Sequence, residues 1–175
     1  MKLNVKGLLT LARLRQLLVY LLIFMLAGLL GNIWMTRNQY SGSIPQFYAE
    51  DLTGEKVSLR SPESRQKPKI LYFFADWCPI CKIQHPVISN IGKDFDVYGI
   101  AMQSGDTANV KKYVQAQGLD FRVINDESGE ISRMLGVNGV PATFIIDKTG
   151  QIKYSTRGYA TELGLRSRIW LTGKN

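Results

Sequence analysis

Cys78-Pro79-Ile80-Cys81 holds the only two cysteines of the 175-residue chain, and it directly follows Ile70-Leu71-Tyr72-Phe73-Phe74-Ala75-Asp76-Trp77. A short apolar run rich in aromatics, closed by polar residues, reads as a buried strand. The segment from Cys81 to Phe95 has helical length and spacing. The cysteines therefore stand where a strand turns into a helix. The first thiol faces the positive end of a helix dipole, which favours thiolate over thiol. With a second thiol one turn away, a disulfide can form and break inside the motif.

A C-x-x-C pair has two other common uses. A structural zinc site takes four Cys or His ligands, but there is no second cysteine pair and His85 is the only histidine. At most three such ligands exist, so no metal is expected. Haem attachment places His directly after the second cysteine, and Lys82 stands there. Redox exchange is the use that fits, and it requires no cofactor beyond the Cys78–Cys81 pair.

The net charge of +8 raises the question of a nucleic-acid partner. Five of the 22 basic residues (Lys2, Lys6, Arg13, Arg15 and Arg37) and none of the 14 acidic ones lie before residue 38, leaving 17 against 14 elsewhere. The excess is an N-terminal feature without interleaved aromatics, so no nucleic-acid partner is expected. Leu17 to Met35 is a 19-residue run whose only strongly polar member is Asn32. A helix of that length crosses a bilayer core at ~1.5 Å per residue. Four positive charges precede it and Arg37 alone follows closely, so the positive-inside rule places the N-terminus in the cytoplasm. The stretch is long for a cleaved signal and no A-x-A site follows it; Trp34 suits an interfacial position. The expected organisation is a cytoplasmic N-terminus (1–16), an uncleaved anchor in membrane lipid (17–35), a polar tether (36–43) and a domain (44–175) outside the cytoplasm. The simplest such setting is the periplasmic side of a bacterial inner membrane.

Within the domain, Phe47–Arg60 carries two strand-like pieces around Thr53-Gly54-Glu55, a hairpin, and Ser61–Lys69 reads as a loop. Strands follow at Ile70–Phe74, Val97–Met102, Phe121–Ile124, Ala142–Ile146 and Gln151–Arg157. Helices are expected from Cys78 onward, at Thr107–Gln117, at Glu130–Leu135 and at Thr161–Leu171, the second and third ended by Gly118 and Gly136. Asp147-Lys148-Thr149-Gly150 is a turn. This alternation predicts an α/β sandwich around a mixed sheet.

Trp77-Cys78-Pro79-Ile80-Cys81-Lys82, Pro86, Gly139-Val140-Pro141-Ala142-Thr143-Phe144-Ile145-Ile146-Asp147 and Gly158 together resemble the thioredoxin superfamily over roughly residues 44–172. The N-terminal anchor, the leading hairpin and the extra helix–strand piece near 107–124 are similar to its membrane-tethered TlpA-like branch. Val123-Ile124-Asn125-Asp126, Gly129-Glu130-Ile131-Ser132-Arg133 and Leu165-Arg166-Ser167-Arg168-Ile169-Trp170 are similar to a subgroup connected with suppression of copper sensitivity. The resemblance implies a thioredoxin fold and a protein disulfide oxidoreductase. Cys78, expected to be exposed, would attack and hold the mixed disulfide, and Cys81 would resolve it. Trp77, Pro79 and Ile80 would shape the substrate surface. A cis Val140–Pro141 loop would face Cys78 and pair with an extended substrate segment. Protein thiols or disulfides are the implied substrates, and a transmembrane electron carrier the implied partner.

Two departures stand out. Tyr72 lies where thioredoxin has a buried Asp, and Gln84 where many TlpA-like reductases have Glu. The carboxylates that usually move the proton of the second thiol are missing, so water, Lys82 or His85 must serve, or that proton moves slowly. His85 lies four residues from Cys81 on the same helix face, although a lone helix histidine is ordinarily solvated. Asp76 reads as a surface residue. A cytochrome c maturation thiol reductase is the nearest alternative, though its typical Glu after the proline is Ala142 here. A non-enzymatic binding module would not need the second thiol. The P-x-x-x-T-x-x-C peroxidase pattern fails at Leu71 and Ala75.

Overall fold

The computed structural model describes residues 5–36, 42–45, 48–58 and 67–173, with side chains of the first helix described from 13 to 31. The chain divides into two compact units, Met1–Arg37 and Asn38–Asn175. In the first, helix α1 runs Val5–Thr36 and contains a 19-residue stretch, Arg13–Gly31, long and apolar enough to cross a membrane. The helix starts earlier than the apolar run because Lys6 and Arg13 interrupt the hydropathy, not the helix propensity. None of its described side chains is buried within the unit; Leu22 and Phe24 are 67% and 79% exposed. Trp34 lies outside the described side chains.

The second unit is built on a six-stranded mixed sheet in the order β1-β8-β7-β4-β5-β6. Its strands are β1 (Gly42–Ser43), β4 (Lys69–Phe74), β5 (Asp96–Met102), β6 (Arg122–Asp126), β7 (Ala142–Ile146) and β8 (Gln151–Arg157). β4, β5 and β6 are parallel, whereas β7 lies antiparallel to β4, and β8 to β7. β2 (Ala49–Glu50) and β3 (Lys56–Val57) form the expected hairpin. The helices are α2 (Pro79–Gly92), α3 (Thr107–Gln117), α4 (Glu130–Met134) and α5 (Glu162–Gly173). Gly42 and Ser43, read in the sequence as the end of the tether, pair with β8 at the sheet edge. Most of the expected 61–69 loop lies outside the described residues, and Lys69 opens β4. β6 begins one residue later and ends two later than expected, because its pairing with β5 continues through Asp126.

β4 shows why this sheet is covered on both faces. All six of its residues are buried, and their side chains alternate between faces. Ile70, Tyr72 and Phe74 join Ile88, Ile91, Val110, Leu165 and Ile169, and so pack under α2, α3 and α5. Leu71 and Phe73 join Ile44, Val57, Leu135 and Phe144 on the other face. A full Phe or Leu burial contributes ~1.5–3 kcal/mol, which makes this central strand the spine of the unit. Gly99 on β5 is needed for close packing: a Cβ there would stand 2.7 Å from the Phe121 ring and 3.0 Å from Phe74.

Two turns share one device. In Asp51-Leu52-Thr53-Gly54-Glu55, the Asp51 carboxylate accepts from the Thr53 N–H, the Thr53 hydroxyl and the Glu55 N–H. In Asp147-Lys148-Thr149-Gly150-Gln151, Asp147 accepts from the matching three groups. Burial pushes each carboxyl up, but these bonds outweigh it and hold both below the ordinary carboxylate range.

Candidate active site

The cysteine motif lies at the C-terminal end of β4, where chains leave a parallel sheet and sites gather. Cys78 is the N-cap of α2 in an extended conformation, and its Sγ accepts from the Cys81 N–H at 3.1 Å. Pro79 takes the first helical position, where a missing N–H costs nothing. Cys78 and Cys81 are joined by a disulfide, with Cα atoms 5.3 Å apart. Pro79 and Ile80 are exposed beside it. Cys78 itself departs from the expectation of exposure: it is only 4% exposed. The reason is the loop ahead of β7. Val140 O lies 3.7 Å from Cys78 Sγ, a contact in the oxidised pair, which has no thiol proton to donate. The Val140–Pro141 bond is cis, as expected. Pro141 O accepts from the Gly158 N–H at 2.8 Å, which ties the loop to the end of β8.

A second support escaped the sequence reading. The Trp77 indole N–H donates to Gln103 O at 3.1 Å, and Ser104 Oγ accepts from the Asp76 N–H at 3.1 Å. Ser104 in turn donates to Met102 O. Gln103 has φ 46°, the only described non-glycine residue with positive φ, a conformation that costs energy and needs surrounding support. The one available signal was position, since residues 103–104 directly follow a parallel strand next to β4. Trp77 remains 58% exposed, and Asp76 is partly buried at the end of β4.

Below the motif, Cys81 is fully buried. The Tyr72 hydroxyl donates to Cys81 O at 3.4 Å and lies 3.2 Å from His85 Nδ1. His85 Nε2 lies 2.9 Å from the Tyr113 hydroxyl. The sequence reading of His85 as solvated is wrong: it is 3% exposed and meets Phe74 and Tyr72 edge-on. The signal was present in α2, where Cys81, His85, Ile88 and Ile91 form one buried stripe. Burial, with Lys82 second, lowers the His85 pKa to about 4, so its imidazole is neutral near pH 7. Burial pushes Tyr72 well above the ordinary phenol range, and Tyr113 upward too, the latter with help from Asp76. Gln84 is also buried, but its amide is turned to the loop after β8: Nε2 donates to Ala160 O at 2.9 Å and Oε1 accepts from the Ala160 N–H at 2.8 Å.

Cys78, Cys81, Pro79, Ile80, Trp77, Val140 and Pro141 are thus gathered in one place. Among the described residues, no cluster of three His, Cys, Asp or Glu side chains could hold a metal. A disulfide capping a helix, under a loop carbonyl, can undergo thiol exchange, and Cys78 at the rim is the sulfur nearer to the surface.

The chain is similar to known proteins. Residues 41–155 match the model of the AhpC/TSA family. A thioredoxin-like protein of Haemophilus influenzae is 31% identical over 69% of this chain and 72% of its own. The thiol-disulfide oxidoreductase ResA of Bacillus thuringiensis subsp. konkukian is 31% identical over 67% and 69%. Among solved structures, a thiol:disulfide interchange protein of the thioredoxin family from Chlorobium tepidum superimposes with a TM-score of 0.65 at 26% identity, covering 76% of this chain and 97% of that one.

Proposed function

The chain belongs to the AhpC/TSA family of thioredoxin-fold proteins and is a thiol–disulfide oxidoreductase; from this premise we propose that Cys78 and Cys81 exchange disulfides with other proteins on the outer side of a membrane that α1 spans. The observation that carries this reading is the Cys78–Cys81 disulfide at the N-terminus of α2 beneath Val140 O. In the reducing direction, the Cys78 thiolate attacks a substrate disulfide and expels one substrate thiolate. Cys81, as thiolate, then attacks Cys78 Sγ and expels the second. Two electrons pass to the substrate and the pair ends oxidised. The reverse sequence oxidises a dithiol.

Each site residue has a part in this. The helix N-terminus and the Cys81 N–H stabilise negative charge on Cys78. Trp77, Pro79 and Ile80 form the exposed rim, and Val140-Pro141 offers backbone to an extended substrate chain. The chemistry needs no cofactor. The basic N-terminal segment and the apolar helix support an anchor in lipid with the N-terminus in the cytoplasm and the catalytic domain in a bacterial periplasm. That compartment is kept oxidising, so a reductant there needs resupply, and a transmembrane electron carrier is the fitting partner.

The test is trapping in intact cells. Cys81→Ser should accumulate mixed disulfides with other proteins and Cys78→Ser should not; the opposite pattern refutes the assignment. Alkaline phosphatase fused after Asn175 should be active, and an inactive fusion refutes the orientation.

A further inference from the structure

Three polar side chains from three different elements meet beneath Cys81: Tyr72 from β4, His85 from α2 and Tyr113 from α3. Such groups are costly to bury unless each is hydrogen-bonded. Here they bond one another in a row that starts at the Cys81 backbone and ends at Tyr113, which is partly exposed. Among the described residues, no carboxylate is hydrogen-bonded to Cys81. Yet Cys81 must shed a proton each time it closes the pair, and a fully buried thiol resists ionisation because desolvation penalises the thiolate.

We propose that Tyr72, His85 and Tyr113 are the proton path between the Cys81 thiol and solvent. The proposal rests on the exchange reaction above and deepens it. Opening the disulfide frees the Cys81 side chain to turn to the Tyr72 hydroxyl. During resolution the Cys81 proton passes to the Tyr72 oxygen, whose own proton moves to His85 Nδ1. The Nε2 proton moves to the Tyr113 oxygen, and the Tyr113 proton leaves to water. The Cys81–Cys78 bond forms, the bond between Cys78 and the substrate breaks, and the departing sulfur takes a proton from water. Every group in the row ends neutral.

The hydrogen bonds of the oxidised structure match the end of this transfer. With the single Tyr72 proton directed to Cys81 O, His85 takes the tautomer in which Nδ1 donates to the Tyr72 oxygen. Nε2 is then the acceptor, and the Tyr113 hydroxyl donates to it. A reversed row, with Nε2 protonated, is the starting state. A neutral imidazole takes either tautomer, and burial with the nearby Lys82 charge keeps it neutral at pH 7. The groups facing this row are Lys82 on α2, Asp76 at the end of β4, the two phenols themselves and the Phe74 ring. His85 and Tyr113 act through Tyr72 and are positioning residues.

Tyr72→Phe and Tyr113→Phe remove one hydroxyl each and keep the ring packing. The full chain in detergent micelles, reduced beforehand, is mixed in stopped flow with a fluorescent peptide disulfide, so that attack and resolution are separate phases. Each variant should slow resolution about 10²-fold at pH 7, the size of ordinary general-base assistance, with attack unchanged. The deficit should shrink toward pH 9 as hydroxide removes the proton directly. Unchanged resolution in both variants, equal slowing of attack and resolution, or a deficit independent of pH would each overturn the path. Cys78→Ser is the separate control: if that variant still exchanges the peptide disulfide, it is the exchange mechanism that fails, not the row of three.

Discussion

The two sulfurs of one disulfide live in different surroundings. Cys78 is at the rim, next to exposed Trp77, Pro79 and Ile80, and its polar neighbours are backbone: the Cys81 N–H and Val140 O. Cys81 is fully buried, and the side-chain row Tyr72–His85–Tyr113, drawn from β4, α2 and α3, begins at its backbone carbonyl. Backbone groups at a helix start offer their charge whatever the neighbouring side chains are. Side chains must be assembled by the fold. In the exchange mechanism proposed above, attack by Cys78 would then be served by backbone groups and resolution by Cys81 by side chains that the fold assembles, so the two steps should respond to different substitutions.

The largest effect tests whether the sulfurs differ at all. Cys78→Ser should abolish disulfide exchange, while Cys81→Ser should keep the attack and lose turnover, with the mixed disulfide accumulating. Quenched-flow trapping separates these outcomes. On the rim side, alkylation of Cys78 in the reduced protein should titrate below the free-thiol value of about 8.5. Equal alkylation profiles for the two thiols would erase the comparison.

The next effect belongs to the buried side alone. His85 has its pKa lowered to about 4 in the folded chain, against about 6.5 unfolded. The unfolded chain therefore takes up the proton first as pH falls. The contribution is fully present above pH 6.5 and is lost between 6.5 and about 4, up to about 3 kcal/mol in all. Urea midpoints from pH 7 to pH 4.5 should show this loss, and His85→Gln should flatten that part of the profile. An unaltered profile in the variant would mean that His85 is not the acid-sensitive group.

The same contrast decides what could be read from the sequence. The strand, the cysteine pair, the helix it opens and the Asp147–Gly150 turn were legible, because each is a run of neighbouring residues with its own periodicity or turn chemistry. The cis Val140–Pro141 bond was legible only through resemblance to a family. The setting of His85 was not read, because its partners stand 13 residues before it and 28 after it. The stripe Cys81-His85-Ile88-Ile91 does mark its face as buried. Gln103 and Ser104 carry no motif at all, and their role exists only once β5 lies beside β4.

Gln84→Glu should give a smaller effect, on stability. A carboxylate there, as in many TlpA-like reductases, could be supposed to help Cys81. The Gln84 amide instead both donates to and accepts from Ala160. An ionised carboxylate keeps the acceptor and sets negative charge against Ala160 O, a loss of ~1–3 kcal/mol. Burial raises the pKa of such a carboxyl. The unfolded chain ionises first, so the destabilisation should grow as pH rises above about 4.3. Chemical denaturation of the variant beside the unsubstituted chain at pH 4 and pH 8 measures it as the difference between the two; an equal difference at both pH values would show that the introduced carboxylate finds another partner.

The smallest effect probes the rim from the other direction. The Trp77 indole N–H donates to Gln103 O, and the residue is more than half exposed. A hydrogen bond contributes ~0.5–1.5 kcal/mol net, and water can replace an exposed one, which places this bond at the low end. Trp77→Phe keeps a ring on the rim and loses the donor. Stability should fall by less than ~1 kcal/mol. The attack rate should drop, since the loop that carries Cys78 is then held to residues 103–104 only through the Asp76 N–H and Ser104. Resolution should not change, because Cys81 and its polar row share no hydrogen bond with Trp77. Stopped flow with the two phases resolved reads both rates in one experiment. If resolution slows as much as attack, rim and interior are mechanically coupled, and the separation of the two sulfurs into a backbone-served and a side-chain-served half does not hold.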